Sequence, residues 1–209
     1  MQRALAVLVL AAATVAAPGS SAAQVPSPEP PVYPDRPLLV VEDRAAATIP
    51  FGSAARVEVK TMPGVVELHA ATRPSTTSRL VRRAAAPAGA AFWTVTPRAN
   101  TRLHARMQGG PVGPSTTISV AQTVTLAAAA RDGGHRFTGR VAPARRGVVV
   151  EVHRGTPSGA ALVGRATTDA GGAYAVDRRT GSGTFAATAR ATADNVQGRS
   201  RPVQVAVRP

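Results

Sequence analysis

The chain has 209 residues, 25 basic against 11 acidic, a formal net charge of +14 and no cysteine. The missing cysteines exclude a disulfide framework and a thiol-linked lipid anchor. Aromatic residues are only 3% of the chain, which leaves a core of Val, Ala and Leu and denies the arginines the interleaved aromatics of a nucleic-acid platform.

From the start of the chain, Arg3 gives a short positive segment, Leu5 to Ala17 an apolar run, and Pro18-Gly19-Ser20 a break. Ser21-Ala22-Ala23 then offers small residues at the −3 and −1 positions of a cleavage site. The apolar run is shorter than the roughly 20 residues of a spanning helix. Residues 1–23 are expected to be a signal peptide removed at about Ala23/Gln24. The mature chain is then secreted or associated with the cell wall, with no membrane span. Residues 24–37 follow with Pro26, Pro28, Pro30, Pro31, Pro34 and Pro37, an extended polyproline-like linker.

Beyond the linker, short runs alternate apolar and polar residues between Gly, Pro, Asp and Asn, the signal of half-buried strands. Strands are expected near 38–42, 54–60, 65–72, 79–84, 91–96, 101–107 and 116–121. A second series is expected near 123–129, 136–142, 148–154, 161–166, 173–177, 184–192 and 202–207. The two series superpose. "VVELHAATRP" (65–74) returns as "VVEVHRGTP" (149–157), Arg83-Ala84 as Arg165-Ala166, Trp93-Thr94-Val95 as Tyr174-Ala175-Val176, and Gly113-Pro114-Ser115 as Gly198-Arg199-Ser200. The chain is thus a duplication. It is expected to form two tandem antiparallel immunoglobulin-like β-sandwiches, 38–122 and 123–209, each with about seven strands. Almost nothing separates "ISVAQ" from "TVTLAAAA", which predicts a short, stiff joint, thin cores and an elongated monomer.

The second copy carries "FTGRVAPARRGVVVEVHR" (137–154), "TTDAGGAYAV" (167–176) and "GTFAATARATADNVQGRSRPVQVAV" (183–207). These stretches resemble the Ig-like repeats of secreted actinobacterial proteins and are similar to carboxypeptidase-regulatory-like and collagen-adhesin B-type modules. The resemblance covers most of 123–209 and, more faintly, 38–122. It implies a spacer, adhesion or accessory module outside the cell. Its motifs are turn chemistry, which specifies a fold and not a function.

No pattern carries a reaction. There is no G-x-S-x-G elbow beside the four histidines, so no enzyme and no cofactor are expected. Glu67/His69 and Glu151/His153 are i, i+2 pairs with no third ligand in view, and are expected on the solvated face. "TTDAGG" has a single carboxylate, too few for calcium. Lys60, the only lysine, falls outward by alternation, which excludes an intramolecular isopeptide bond. Residues 36–122 hold 11 basic and 4 acidic side chains and 123–209 hold 13 and 5, so the charge is spread evenly. A GC-rich genome would produce such arginine use, and so would selection for an anionic partner. The densest basic spot is Arg145-Arg146 with Arg140 nearby. The expected partner is an extracellular protein or an anionic envelope polymer, not nucleic acid. The alternative is a carbohydrate-binding accessory protein. Of the adjacent Phe92 and Trp93, only one can face inward, and the repeat assigns that place to Trp93.

Overall fold

The computed structural model describes residues 32–42 and 46–206. The expected signal peptide and the first part of the Pro-rich segment lie outside these residues. All regular structure among the described residues is β-strand.

In the first copy, β1 (Leu38–Val41), β3 (Ala55–Lys60) and β6 (Ala90–Val95) form one sheet. A second sheet runs in the order β2 (Ala47–Pro50), β8 (Thr116–Ala121), β7 (Thr101–Met107), β4 (Gly64–Thr72), β5 (Arg79–Ala86). In the second copy, β9 (Thr123–Val124) and β10 (Ala127–Arg131) both pair with β11 (Gly134–Ala142), which also pairs with β14 (Ala173–Arg178). Facing them are β13 (Gly159–Thr167), β12 (Val149–Thr156) and β15 (Gly183–Ala189), with β16 (Gly198–Arg199) and β17 (Val203–Val205) on the far side of β15. β3, β4, β5, β6 and β7 therefore correspond to β11, β12, β13, β14 and β15. This partition, with the first, second and fifth main strands opposite the others, is that of an immunoglobulin-like sandwich.

The antiparallel expectation needs one correction. The leading strand of the first copy splits, and its second half, β2, pairs in parallel with β8, Ala47 opposite Ile118 and Pro50 opposite Ala121. "ATIP" gives little warning of this. It is short, and Pro50 is tolerated because it ends an edge strand. A second difference lies at 184–192, where the strand stops at Ala189 and the following residues leave the sheet.

Alternation makes the two cores. Val57, Val59, Val66, Leu68, Leu103, Ile118 and Val120 fill the first, and Val141, Val150, Val152, Tyr174, Ala187 and Ala189 line the second. The second core is less thin than its composition suggests. Phe137 and Phe185 are fully buried at its centre with ring centroids 4.8 Å apart. Tyr174 runs under the same sheet, and its hydroxyl donates to the Thr125 carbonyl at 2.6 Å. Burial pushes that phenol up to about 12.

The duplication extends to an irregularity. Leu68 pairs with Arg82 and His69 with Leu80, so Val81 is an extra residue in β5. Val152 pairs with Gly164 and His153 with Leu162, so Val163 is extra at the matching place in β13. Both valines turn onto their cores, the kind of re-aimed side chain that a bulge provides.

Each sandwich also has a point where the incoming chain crosses a glycine. A Cβ on Gly113 would collide with the Pro37 carbonyl oxygen, and a Cβ on Gly198 with that of Gln122. The end of the Pro-rich segment is thus seated rather than free: Pro37 is buried, and Tyr33 occupies the space a side chain on Gly89 would need. Gly113→Ala should destabilise the protein by about 1–3 kcal/mol, the cost of forcing backbone apart in a packed site. Gly181→Ala, which meets no atom within 4 Å, should leave the unfolding free energy from urea titration within about 0.5 kcal/mol of the parent.

Candidate interaction surfaces

Glu67 on β4 stands opposite Arg83 on β5 and Arg106 on β7. Both guanidinium groups bond its carboxylate, Arg106 Nε at 2.7 Å and Arg83 from the other side, and His69 Nε2 lies 3.5 Å away. The residue is only 3% exposed, so the solvated-face expectation fails for it. Arginine stems from the neighbouring strands cover the glutamate while their heads supply the charge that burial demands. The second copy repeats the device. Glu151 is bonded by Arg165 Nε at 2.9 Å and Arg190 at 2.6 Å, with His153 Nε2 at 3.6 Å. Arg165 is cross-strand from Glu151 as Arg83 is from Glu67, but Thr188 faces Glu151 on β15, and Arg190 reaches back from beyond the strand end. Arg106 first, then Arg83, hold the Glu67 carboxyl down to about 2. Arg190 and then Arg165 hold Glu151 below the usual carboxylate range.

His69 and His104 are cross-strand partners with stacked rings, 5.1 Å between centroids and 10° between planes. Burial first, then the neighbouring His69, Arg102 and Arg106, push His104 below the ordinary histidine value. In the second copy Ala186 stands opposite His153, so the imidazole pair is particular to the first sandwich. His135 is buried in the second, Nδ1 3.1 Å from the Thr180 carbonyl oxygen. Among the described residues no serine or threonine hydroxyl is bonded to a histidine, and no three metal-ligating side chains converge.

The basic residues singled out by sequence sit on different elements. Arg140 is an exposed residue of β11, whereas Arg145 and Arg146 sit in the loop before β12. Arg145 is bonded to Asp194 at 2.8 Å, so its charge is largely taken up. Sequence reading overlooked a denser arginine group at the opposite turns of the second sandwich. Arg131, Arg136, Arg178 and Arg179 line one shallow depression there, with Asp132 and Asp177 among them. Arg178-Arg179 are adjacent, but Arg131 and Arg136 join them from another strand pair, β10 and β11, so the sequence shows only part of the group. The aromatic assignment holds: Trp93 packs on the core, while Phe92 is 52% exposed. The Arg56 guanidinium covers the Phe92 ring at 4.8 Å from its centroid. Lys60 points outward toward Glu58, 3.9 Å away.

The joint is the most extensively bonded of these regions. Only Gln122 separates β8 from β9. Its N–H donates to the Val196 carbonyl at 3.2 Å, Val196 N–H donates to Val120 at 3.0 Å, and Ala121 and Val196 form a parallel bridge. Gln122 Nε2 reaches the Arg190 carbonyl at 3.0 Å. Asn195, 3% exposed, donates through Nδ2 to the carbonyls of Arg98 and Val120, each at 3.3 Å. Asn100 N–H donates to Asp194 at 2.7 Å. The residues beyond Ala189, expected to prolong a strand, form this clasp instead.

The clamp on Glu67 makes stability depend on acid in a definite direction. A depressed carboxyl contributes stability above its unfolded-state value and loses it as pH falls toward the folded-state value. The urea midpoint of the protein should therefore fall between about pH 4.5 and about 2. Glu67→Gln should flatten much of that decline, leaving the part due to Glu151.

No known protein family matches the chain, and no curated protein matches it. Among solved structures, it aligns with the human OSCAR ligand-binding domain at 13% identity and TM-score 0.31, over 81% of this chain and 97% of that one. It also aligns with a tetra-tandem repeat from the extending region of a large adhesion protein, at 15% identity and TM-score 0.37. That alignment covers 81% of this chain and spans about half, 49%, of the other. The immunoglobulin-like assignment rests on the strand order described above.

Proposed function

We propose that this protein is a non-enzymatic interaction module that works outside the cell, holding two immunoglobulin-like sandwiches as one unit against an extracellular protein or an anionic polymer of the envelope. The observation that carries this reading is the joint. Buried Gln122 and Asn195 bond backbone carbonyls across it, and a loop of the second sandwich lies along the last strand of the first. A tether between independent domains requires no such clasp, whereas surfaces that must meet a partner together do. His69 and His153 lie beside glutamates already committed to arginines, an arrangement suited to holding strands and not to moving protons. Export is supported by the pattern of residues 1–23, and the excess of arginine favours an anionic surface in that compartment. Sugar binding through aromatic stacking is less well served, because Trp93 faces inward, Tyr174 is buried and Phe92 lies under Arg56.

Two measurements test the proposal. Nitrogen relaxation should give both sandwiches one rotational correlation time, and Gln122→Ala with Asn195→Ala should separate them. Each lost buried bond costs about 1–3 kcal/mol of coupling. Independent tumbling of the unmodified protein would overturn the single-unit reading. In cell fractions, the processed chain should be found in the medium or on the wall and be released by salt. Retention of the intact chain in the cytoplasm would overturn the extracellular one.

A further inference from the structure

Where the outer face of the first sandwich runs up to the clasp, the sheet holds a hollow of about 300 Å³. Its floor follows from the strand register. Ala71 on β4, Arg102 on β7 and Thr117 on β8 stand in one row. Arg73, Asn100 and Ser119 follow at the next outward positions of the same three chain segments. Thr76 and Ala193 close the sides, the latter from the second sandwich. Ala71 is small, so the two arginines flank a gap instead of a filled site.

The charged groups here are of one sign. Neither Arg73 nor Arg102 has an ion-pair or side-chain hydrogen-bond partner among the described residues, whereas Arg83, Arg106, Arg145, Arg165 and Arg190 all do. No acidic side chain lines the hollow. Asn100 is fixed by its Oδ1, which accepts from Val120 N–H at 2.8 Å, and this leaves its Nδ2 donors unused. The repeat provides an internal control. Glu151 stands opposite Thr188 as Glu67 stands opposite Arg106, so counting four residues along each strand puts Gly155 and Thr184 at the places of Ala71 and Arg102, and Pro157 follows Gly155 as Arg73 follows Ala71. The same fold therefore forms without either arginine, so neither is required by the sandwich.

We infer that this hollow binds the acidic unit of a hydroxyl-rich glycan. Its carboxylate or phosphate lies between Arg73 and Arg102, and its hydroxyls meet Thr76, Thr117, Ser119 and the Asn100 amide. Guanidinium groups suit either anion, and hydroxyls that both donate and accept suit the sugar. The inference rests on the extracellular reading above and assigns that reading a site. Because Ala193 forms one wall, the site is complete only when the clasp is closed.

The test is calorimetric titration of the whole protein at low salt with three probes: tri-galacturonate, a glycerol-phosphate oligomer and neutral maltotriose. One or both anionic probes should bind, maltotriose should not, and the anionic probe that binds names the source of the acid. Arg73→Gln with Arg102→Gln should weaken binding at least tenfold, and Thr117→Val by about threefold. Arg140→Gln with Arg146→Gln should change it less than twofold. All these side chains are exposed, and an unchanged unfolding midpoint verifies that the variants fold. Failure of both anionic probes, equal binding of maltotriose, or equal loss in the Arg140/Arg146 variant would overturn the site. Wall retention of the protein that persists in the Arg73/Arg102 variant would overturn the site while leaving the extracellular reading standing.

Discussion

Everything about the pairing of the two sandwiches depends on how the chain passes through Gln122. One residue must leave β8 and begin β9, and its backbone polar groups and side-chain amide N–H need places inside a crowded crossing. Its N–H is taken by the Val196 carbonyl and its side-chain amide by the Arg190 carbonyl, while its own carbonyl lies where only a glycine, Gly198, can stand behind it. The loop from Arg190 to Gln197 has to be in place for these bonds to form. It is therefore a component of the first sandwich's boundary as well as of the second sandwich's fold. Gly113 and Pro37 show the same crossing at the other end of the first sandwich, but Gln108-Gly109-Gly110 turns back tightly there and provides no clasp.

The two Glu-centred clamps follow from a different constraint. A carboxylate in the middle of a sheet face loses hydration, and it is tolerated only where cations on both neighbouring strands replace that water. Placing arginine on either side of Glu67 achieves this within the cross-strand register, and the same problem is met around Glu151 with one arginine borrowed from the loop after β15. That borrowing links the second clamp to the joint, since Arg190 donates to Glu151 through its side chain while its carbonyl receives Gln122. A change in the clasp would thus be felt on the outer sheet face.

Much of the fold was legible because alternation and turn residues act locally. The valines of 148–152, the pairing of Phe92 with Trp93 and the matching of Arg83 with Arg165 all translate directly into faces and registers. Three features were not legible, each for a reason of range. β2 joins β8 across the whole first copy, and nothing in "ATIP" names a parallel partner. Glu67 reads as surface because its cover comes from side chains on two other strands. Arg73 and Arg102 are far apart in the chain and unremarkable among so many arginines. They become distinct only when the register sets them side by side around a hollow with no acidic side chain, and the repeat shows that the fold can do without them. The loop after Ala189 misled for the opposite reason: its alternating Arg190-Ala191-Thr192 continues a strand pattern in a segment that tertiary bonds pull away.

The parallel pairing of β2 with β8 has a consequence for tension. β2 lies near the start of the first sandwich and β8 at its end, and the two run in the same direction over four register pairs. A force drawing the chain out from both ends pulls these strands past each other lengthwise. Their hydrogen bonds then share the strain together, instead of parting one at a time as they would at the end of a hairpin. Among the described residues, β9, where the second sandwich begins, pairs with β11, and β17 pairs with β15. Under a pull along the chain the first sandwich thus resists through a lengthwise shear of β2 against β8.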